Sequence, residues 1–496
     1  MPPTVTIAQA LPHFDHRPFD LAVILAYLAG VTWFGARFRQ SQKSLKDYFL
    51  GGKSAPWWAI ALSIVSAETS TLTIIGTPPL AYKGSFVFLQ VVFGYLLARL
   101  VISTIFLPRY FEGQLVTAYA LMERRFGSRT RKVTSAIFLI TRALAEGVRV
   151  FAISIVISII LQTGGTASIV LIICLTLFYT FEGGMTAVIW TDVIQMIMYV
   201  LGAGVSFFVL AHRIPGGLPH VWQAASAAGK LQVFDFHWSW TYPYTFWAGI
   251  IGGCFLTTAS HGTDQLVVQR LLSAQNERQS RLALLSSWAV IFVQFCLFLT
   301  IGAMLWVLRE GKPIAGSPDR LYPSFIWESL PTGIAGLAMA AILAAAMANL
   351  SAALNSLASA TVMDFYQPLT QGRRTPEHYL AVSRFSTILW GGVLAAIALV
   401  ASQWGSVLES GLSIASVTLG ILLGVFLLGI LTKRPGENAA IAGVIAGAAV
   451  MLFVKLGTKI PYTWWVLIGS FVTFSTGYLG SFLFGDRNSG NRRERA

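Results

Sequence analysis

The chain has 496 residues, 55% of them hydrophobic and 11% charged, with a mean hydropathy of +0.66, which excludes a water-soluble globule of this length. Its apolar stretches are near 20 residues, the length of a membrane-crossing helix, and not the roughly 10-residue alternating strands of an outer-membrane barrel. The net charge of +14 lies in short loops between apolar spans, where it reports topology and not a nucleic-acid partner.

Thirteen spans are expected, near 19–37, 56–78, 85–107, 133–161, 166–181, 187–210, 244–268, 283–308, 332–361, 380–401, 406–431, 438–456 and 463–484. The polar N-terminus lacks a basic region and a small-residue cleavage site, so the first span is expected to stay in the membrane. Alternate loops hold 22 Lys and Arg on one side and 9 on the other. The richer side contains the C-terminus, which is therefore expected in the cytoplasm with the N-terminus outside an inner (plasma) membrane. Cys174, Cys254 and Cys296 all fall within spans and form neither a disulfide framework nor a metal motif.

The second span carries SIVSAETSTLTIIGTPP, Ser63 to Pro79. A carboxylate, a run of hydroxyls and two prolines inside an apolar span point to an interrupted helix that protein buries or a watery cavity wets. In the fourth span Arg142, Glu146 and Arg149 share one helical face. One carboxylate neutralises only one of two guanidinium groups, so the second needs Glu68 or a substrate anion. The sixth span sets Asp192 in an apolar helix, where it needs a cation, a proton or a hydrogen-bond network.

The loop His212 to Tyr242 leads into HWSWTYPYTFW, an aromatic belt expected to anchor at the interface and, secondarily, to lid a cavity. The seventh span then runs through Gly252-Gly253 into Thr257, Thr258, Ser260, His261, Thr263 and Asp264. Grouping spans 2–6 and 7–11 puts an interrupted span at the head of each five. An odd group inverts the second relative to the first, the signature of an inverted-repeat transporter. The ninth span is rich in Ala and Ser and is expected to pack closely, with 352, 355, 356 and 359 forming a hydrogen-bonding ladder to a neighbour. No HExxH, GxSxG or Walker loop is present, so no enzyme is expected. An Asp192–Asp264 pair is the one constellation that an intramembrane protease would share.

Six motifs in order, DYFLGG, SAE, GGMTAVIWTDVIQ, TDQLVVQR, LNSLASATVMDFY and LGVFLLGILTKR, resemble the sodium:solute symporters, whose members carry sugars, proline, sialic acid, iodide, pantothenate and monocarboxylates. The resemblance implies an all-α, leucine-transporter-like core of spans 2–11 with one extra N-terminal and two C-terminal helices. Matching SAE and LNS, it implies a sodium site from the carbonyls of Leu62, Val65 and Ala345 and from the position of Ala348 and Asn349. Ala348 offers no oxygen, a departure that weakens the shell. A second sodium site matches Ser351, Ala352 and Asp192, and Ala352 again lacks its oxygen. The sugar carriers' substrate residues correspond to Thr69, about Thr257 and about Ile291, which argues against a sugar. Arg149 lies near the position of a substrate-contacting arginine in a sialic-acid-type member.

The expectation is therefore alternating-access symport of an organic anion or zwitterion with sodium. Ser66, Thr69, Gln90, Arg149, Thr257, Ser260 and His261 are the substrate contacts. Proton-coupled or uncoupled transport is the alternative, and a transporter-like sensor the alternative of another class. The expected partners are the small solute and the lipid bilayer, with no nucleic acid and no obligate protein. The expected organisation is an outside N-terminus (1–18), an extra helix and inner loop (19–54), a first repeat (55–212), an outer loop (213–243), a second repeat (244–432), two C-terminal helices (433–484) and a disordered cytoplasmic tail (485–496).

Overall fold

The computed structural model describes residues 17–37, 53–112, 118–179, 184–314, 316–370 and 373–483. The N-terminal 1–16, the DYFLGG motif up to Gly52, Glu182-Gly183 and the tail 485–496 lie outside the described residues.

All regular structure among the described residues is helical, and each expected span coincides with a helix. In chain order these are α1 (Pro18–Arg37), the pair α2 (Trp57–Glu68) and α3 (Thr71–Lys83), α4 (Phe86–Glu112), α5 (Ala118–Arg125), α6 (Ser128–Leu161), α7 (Gly165–Tyr179) and α8 (Gly184–Arg213). There follow α9 (Gly217–Ala227), α10 (Gly253–Gly262), α11 (Gln265–Leu272), α12 (Glu277–Leu308), α13 (Leu321–Ser329), α14 (Ile334–Leu369), α15 (Pro376–Ala401), α16 (Val407–Leu431), α17 (Glu437–Gly457) and α18 (Tyr462–Leu483). Nine helices among the described residues are long and apolar enough to span, and α2 with α3 makes a tenth span bent by 66°. The short helices α9 and α13 lie within segments expected only as connections.

The bend of the second span falls at Thr69–Ser70, inside SAETST. Pro78 and Pro79 sit within α3. The bent span is the centre of the bundle: α2 packs between α8 and α12, and α3 against α12. Seven of the twelve α2 residues are buried, Ser63 and Ser66 among them; a helix enclosed this fully belongs to the interior. A methyl at Gly302 of α12 would sit 2.1 Å from the Pro78 carbonyl oxygen, so only glycine permits that backbone contact. The seventh span begins with a π-helical turn, Ala248–Gly252, and breaks at Thr263–Asp264, where Asp264 Oδ1 caps α11 by accepting the Leu266 N–H at 2.9 Å.

The periphery is apolar on its outer side. Phe208 of α8, Phe453 of α17 and Phe471 of α18 expose their rings, as lipid-facing helices require. The small residues of α14 do bring helices together: the Asp20 backbone of α1 crosses at Gly336, and Asp20 Oδ1 accepts the N–H groups of Gly333 and Gly336 at 2.6 and 2.8 Å. The serine ladder differs from expectation. Ser356 bonds to the Ala352 carbonyl of its own helix at 2.8 Å, and Ser359 is exposed, because back-bonding to the preceding turn satisfies a hydroxyl without a neighbour.

Candidate functional site at the two helix breaks

At the first break Thr69 leaves helical geometry (φ −83°, ψ 78°) while its N–H still reaches the Val65 carbonyl at 2.8 Å. The Thr69 hydroxyl meets the Gln294 amide of α12 at 2.8 Å. Tyr199 of α8 buries its hydroxyl against the Ser66 and Thr69 side chains. Thr71 and Thr77, just beyond the break, bury unpartnered hydroxyls. Such orphans are rare in proteins and mark places where a ligand or water completes the bonding. Neither Tyr199 nor Gln294 was singled out from sequence. Gln294's only signal was a lone amide in an apolar span.

Glu68, the last residue of α2, turns to a different set of groups. Its Oε2 pairs with Arg99 Nη2 of α4 at 2.5 Å and with His261 Nε2 of α10 at 3.2 Å. Arg99 is completed by the Ser287 hydroxyl (3.0 Å) and the Tyr95 carbonyl (3.3 Å). His261 Nδ1 lies 2.9 Å from Ser260 Oγ. Thus His261 and Ser260 of the second broken span are tied to the first break through one carboxylate. Glu68 does not serve the arginines of the fourth span: in α6 both Arg149 (2.5 Å) and Arg142 (3.1 Å) converge on Glu146 Oε1, and Arg142 also faces Asp264 at 3.8 Å. Arg149 keeps a buried Nε without a hydrogen-bond partner and a side chain 24% exposed.

The cation that Asp192 required is an arginine. Asp192 Oδ2 accepts from Arg270 Nη2 (2.8 Å) and Nε (3.3 Å) and from Ser63 Oγ (2.6 Å). Arg270 belongs to TDQLVVQR and lies on α11, so it is not the loop cation that charge counting took it for. Asp192 and Asp264 therefore hold separate guanidinium partners and form no carboxylate pair. Of the expected sodium ligands, Leu62 and Val65 lie on α2, and Ala345, Asn349 and Ser351 on α14. Asp192's helix α8 packs against both. Asn349 and Ser351 make no side-chain hydrogen bond among the described residues. The Ala348 side chain lies outside the described set.

Thr257 is buried on α10, and its carbonyl receives the Ser260 hydroxyl at 3.4 Å. Gln90 is fully engaged elsewhere: its Nε2 donates to the carbonyls of Val87 (3.1 Å) and Tyr244 (2.9 Å), and its Oε1 accepts the Asp235 N–H (2.9 Å). The loop that uses Gln90 is fastened further by Lys230, whose ammonium donates to the carbonyls of Ala81, Tyr82 and Gly84 at the end of α3 (3.4, 2.7 and 3.2 Å) and lies 4.7 Å from the Trp306 ring. Burial pushes the Lys230 pKa down. The aromatic belt folds back in the same way, with Trp238 and Trp240 packed on buried Trp464 of α18.

Two interrupted helices packed at the centre of a membrane bundle, with ionised groups satisfied in pairs across them, define a secondary transporter of the leucine-transporter-like fold. A profile of the Sodium:solute symporter family matches residues 48–447, and the chain belongs to that family; its function is the sodium-coupled symport of a small organic solute. It is 29% identical to the sodium/sialic acid symporter SiaT of Proteus mirabilis (strain HI4320), over 95% of this chain and 96% of that one. It is 28% identical to the sodium-coupled monocarboxylate transporter 1 of Xenopus laevis, over 90% and 72% respectively. A solved structure of a Na+-coupled sialic acid symporter, substrate-bound and outward-open, superposes with a TM-score of 0.82 at 28% identity, covering 95% of this chain and 99% of that chain.

Proposed function

We infer that the solute is an organic anion bearing a carboxylate, taken up across the plasma membrane with sodium. The observation that carries this reading is Arg149: it shares the single Glu146 oxygen with Arg142, retains an unpartnered buried Nε and is partly accessible. A guanidinium with spare donors at membrane depth suits a planar carboxylate, which it can bind in a two-pronged fashion. The relatives that carry sialic acid and monocarboxylates support the same class. Ser66, Thr69, Thr257 and the Tyr199 hydroxyl are the uncharged contacts in this reading. Gln90, Ser260 and His261 join them if the loop and the Glu68 network rearrange during the cycle. Sodium, a transported ion here, binds between α2 and α14 with the Leu62, Val65 and Ala345 carbonyls and the Asn349 amide, and Ser351 and Asp192 lie on helices, α14 and α8, that pack against each other. Arg270 takes the place of a second cation on Asp192. The N-terminus is outside and the C-terminus cytoplasmic, as the basic loops favour, with the repeats at 55–212 and 244–432.

Uptake of radiolabelled N-acetylneuraminate and of lactate into proteoliposomes tests this reading. An inward sodium gradient should drive accumulation of one of them, and Arg149→Ala should raise its KM at least about tenfold, the loss of a charge-assisted bond. Sodium-independent uptake driven by a pH gradient, or an Arg149→Ala variant with unchanged KM, would refute it.

A further inference from the structure

The face that carries the 213–247 loop holds a shallow, open cavity of about 360 Å³, formed at the first turns of α16 and α18. Its walls include Trp404, Glu409, Ser413, Tyr462 and Trp465. Glu409 is the one charged residue in the lining. It makes no ion pair among the described residues; its Oε1 accepts the Tyr244 hydroxyl at 2.6 Å. The wall's own donors are mostly spent: Trp465 Nε1 on the Ile460 carbonyl (2.8 Å), Ser410 Oγ on the Trp404 carbonyl (3.1 Å) and the Tyr462 hydroxyl on the Tyr244 hydroxyl (3.3 Å). What the cavity offers a ligand is a carboxylate and three aromatic rings, with few donors for an anion.

We propose that this cavity binds a small alkylammonium cation, its charged nitrogen against Glu409 and its alkyl groups on Trp404, Tyr462 and Trp465. Aromatic rings attract such cations through their negative faces, and the attraction adds to a carboxylate's when water is displaced. The cation is distinct from the solute carried at the breaks. The cavity nevertheless touches the transport core, because Tyr244 bonds Glu409 through its hydroxyl and Gln90 through its carbonyl. The same chemistry reaches the cavity from solution or as the amine headgroup of a lipid.

Calorimetric titration of tetramethylammonium chloride into the full-length protein in phosphatidylglycerol nanodiscs tests the site, with sodium fixed and potassium chloride lowered in step. Saturable binding is expected. Glu409→Gln should weaken it by about tenfold or more and Trp404→Leu, at an exposed loop position, by several-fold. Weaker binding in phosphatidylethanolamine nanodiscs identifies a lipid headgroup as the competing occupant, and equal binding assigns a soluble cation. No saturable binding in phosphatidylglycerol, or an affinity unchanged by Glu409→Gln, overturns the proposal. If Glu409→Gln does not fold, an unchanged affinity in Trp404→Leu overturns it instead. The readout is equilibrium binding, so failure of the solute reading leaves this result intact.

Discussion

Arg270 is the group whose removal should be most informative. Arg270→Met leaves the Asp192 carboxylate, 8% exposed at its side chain, with the Ser63 hydroxyl as its remaining hydrogen bond. An uncompensated buried charge costs about 3–5 kcal/mol, whereas replacing both partners of a buried pair by uncharged groups is close to neutral. Asp192→Asn leaves the guanidinium without its carboxylate, although Arg270 still donates to the Leu266 carbonyl at 2.7 Å and to Ser63 Oγ at 2.9 Å; its cost should fall toward the lower end of that range. The double variant Asp192→Asn/Arg270→Met should therefore be more stable than Arg270→Met, with a loss well short of the sum of the two single losses. Unfolding of the detergent-purified proteins measures the cycle. Sodium adds a second arm: with the fixed cation gone, Asp192 and Ser63 present free oxygens, and sodium in place of potassium should stabilise Arg270→Met more than the wild type. Additive single-variant losses, or an identical sodium response in both proteins, would refute the idea that Arg270 stands where a cation is demanded.

Tyr199→Phe removes a hydroxyl buried beside Ser66 and Thr69, so the folded protein should lose at most about 1 kcal/mol, the worth of one modest hydrogen bond, while solute KM rises several-fold if that hydroxyl contacts the solute. Uptake kinetics and a melting curve separate the two, and an unchanged KM would take Tyr199 out of the site. On the loop-rich face Asp319 is fully buried, with Oδ2 accepting the Val407 N–H at 3.1 Å and Oδ1 without a hydrogen-bond partner. Burial pushes its carboxyl from 3.8 up to about 6, with the Val407 N–H acting against the rise. The folded state therefore binds the extra proton between those values. Its stabilising contribution is full below pH about 4 and lost as pH rises through about 6, to a ceiling of roughly 3 kcal/mol. The melting temperature should fall over that window, and Asp319→Asn should flatten the fall; equal slopes in the two proteins would refute it.

Much of the architecture was legible because the membrane enforces it. Apolar length predicts spans, and a carboxylate among hydroxyls in SAETST predicts a break, since hydrocarbon tolerates such residues only in the protein interior. The partners were not legible. Arg270 is 78 residues from Asp192, and no periodicity on its own short helix points there, so charge counting assigned it to a loop. Arg99 lay within a span as plainly as Arg142, yet its carboxylate sits 31 residues away across the first break. Gln90 is expected as a solute contact, but its amide is used by the protein itself. That the 213–247 loop folds back and consumes its amide depends on Lys230 and Asp235, whose placement follows from tertiary packing alone.

Four ionic contacts have one partner at or just beyond a helix break and the other on a separate helix: Glu68 with Arg99 and with His261, Asp264 with Arg142, and Arg270 with Asp192. Each charged group would be costly alone in hydrocarbon, so none of these elements can move away from its partner without exchanging it for another, for water or for a transported ion. Glu68 is the most constrained, because its one oxygen serves groups on α4 and α10 together. A rearrangement that separates α10 from α2 breaks the His261 contact while leaving Arg99 in place, so the carboxylate stays neutralised throughout. By the same logic, a movement of α11 away from α8 would leave the Asp192 carboxylate with Ser63 alone, a state that water or a cation would have to relieve. The sequence of charge exchange, and not the strength of any single pair, is what this arrangement makes available for coupling solute movement to sodium.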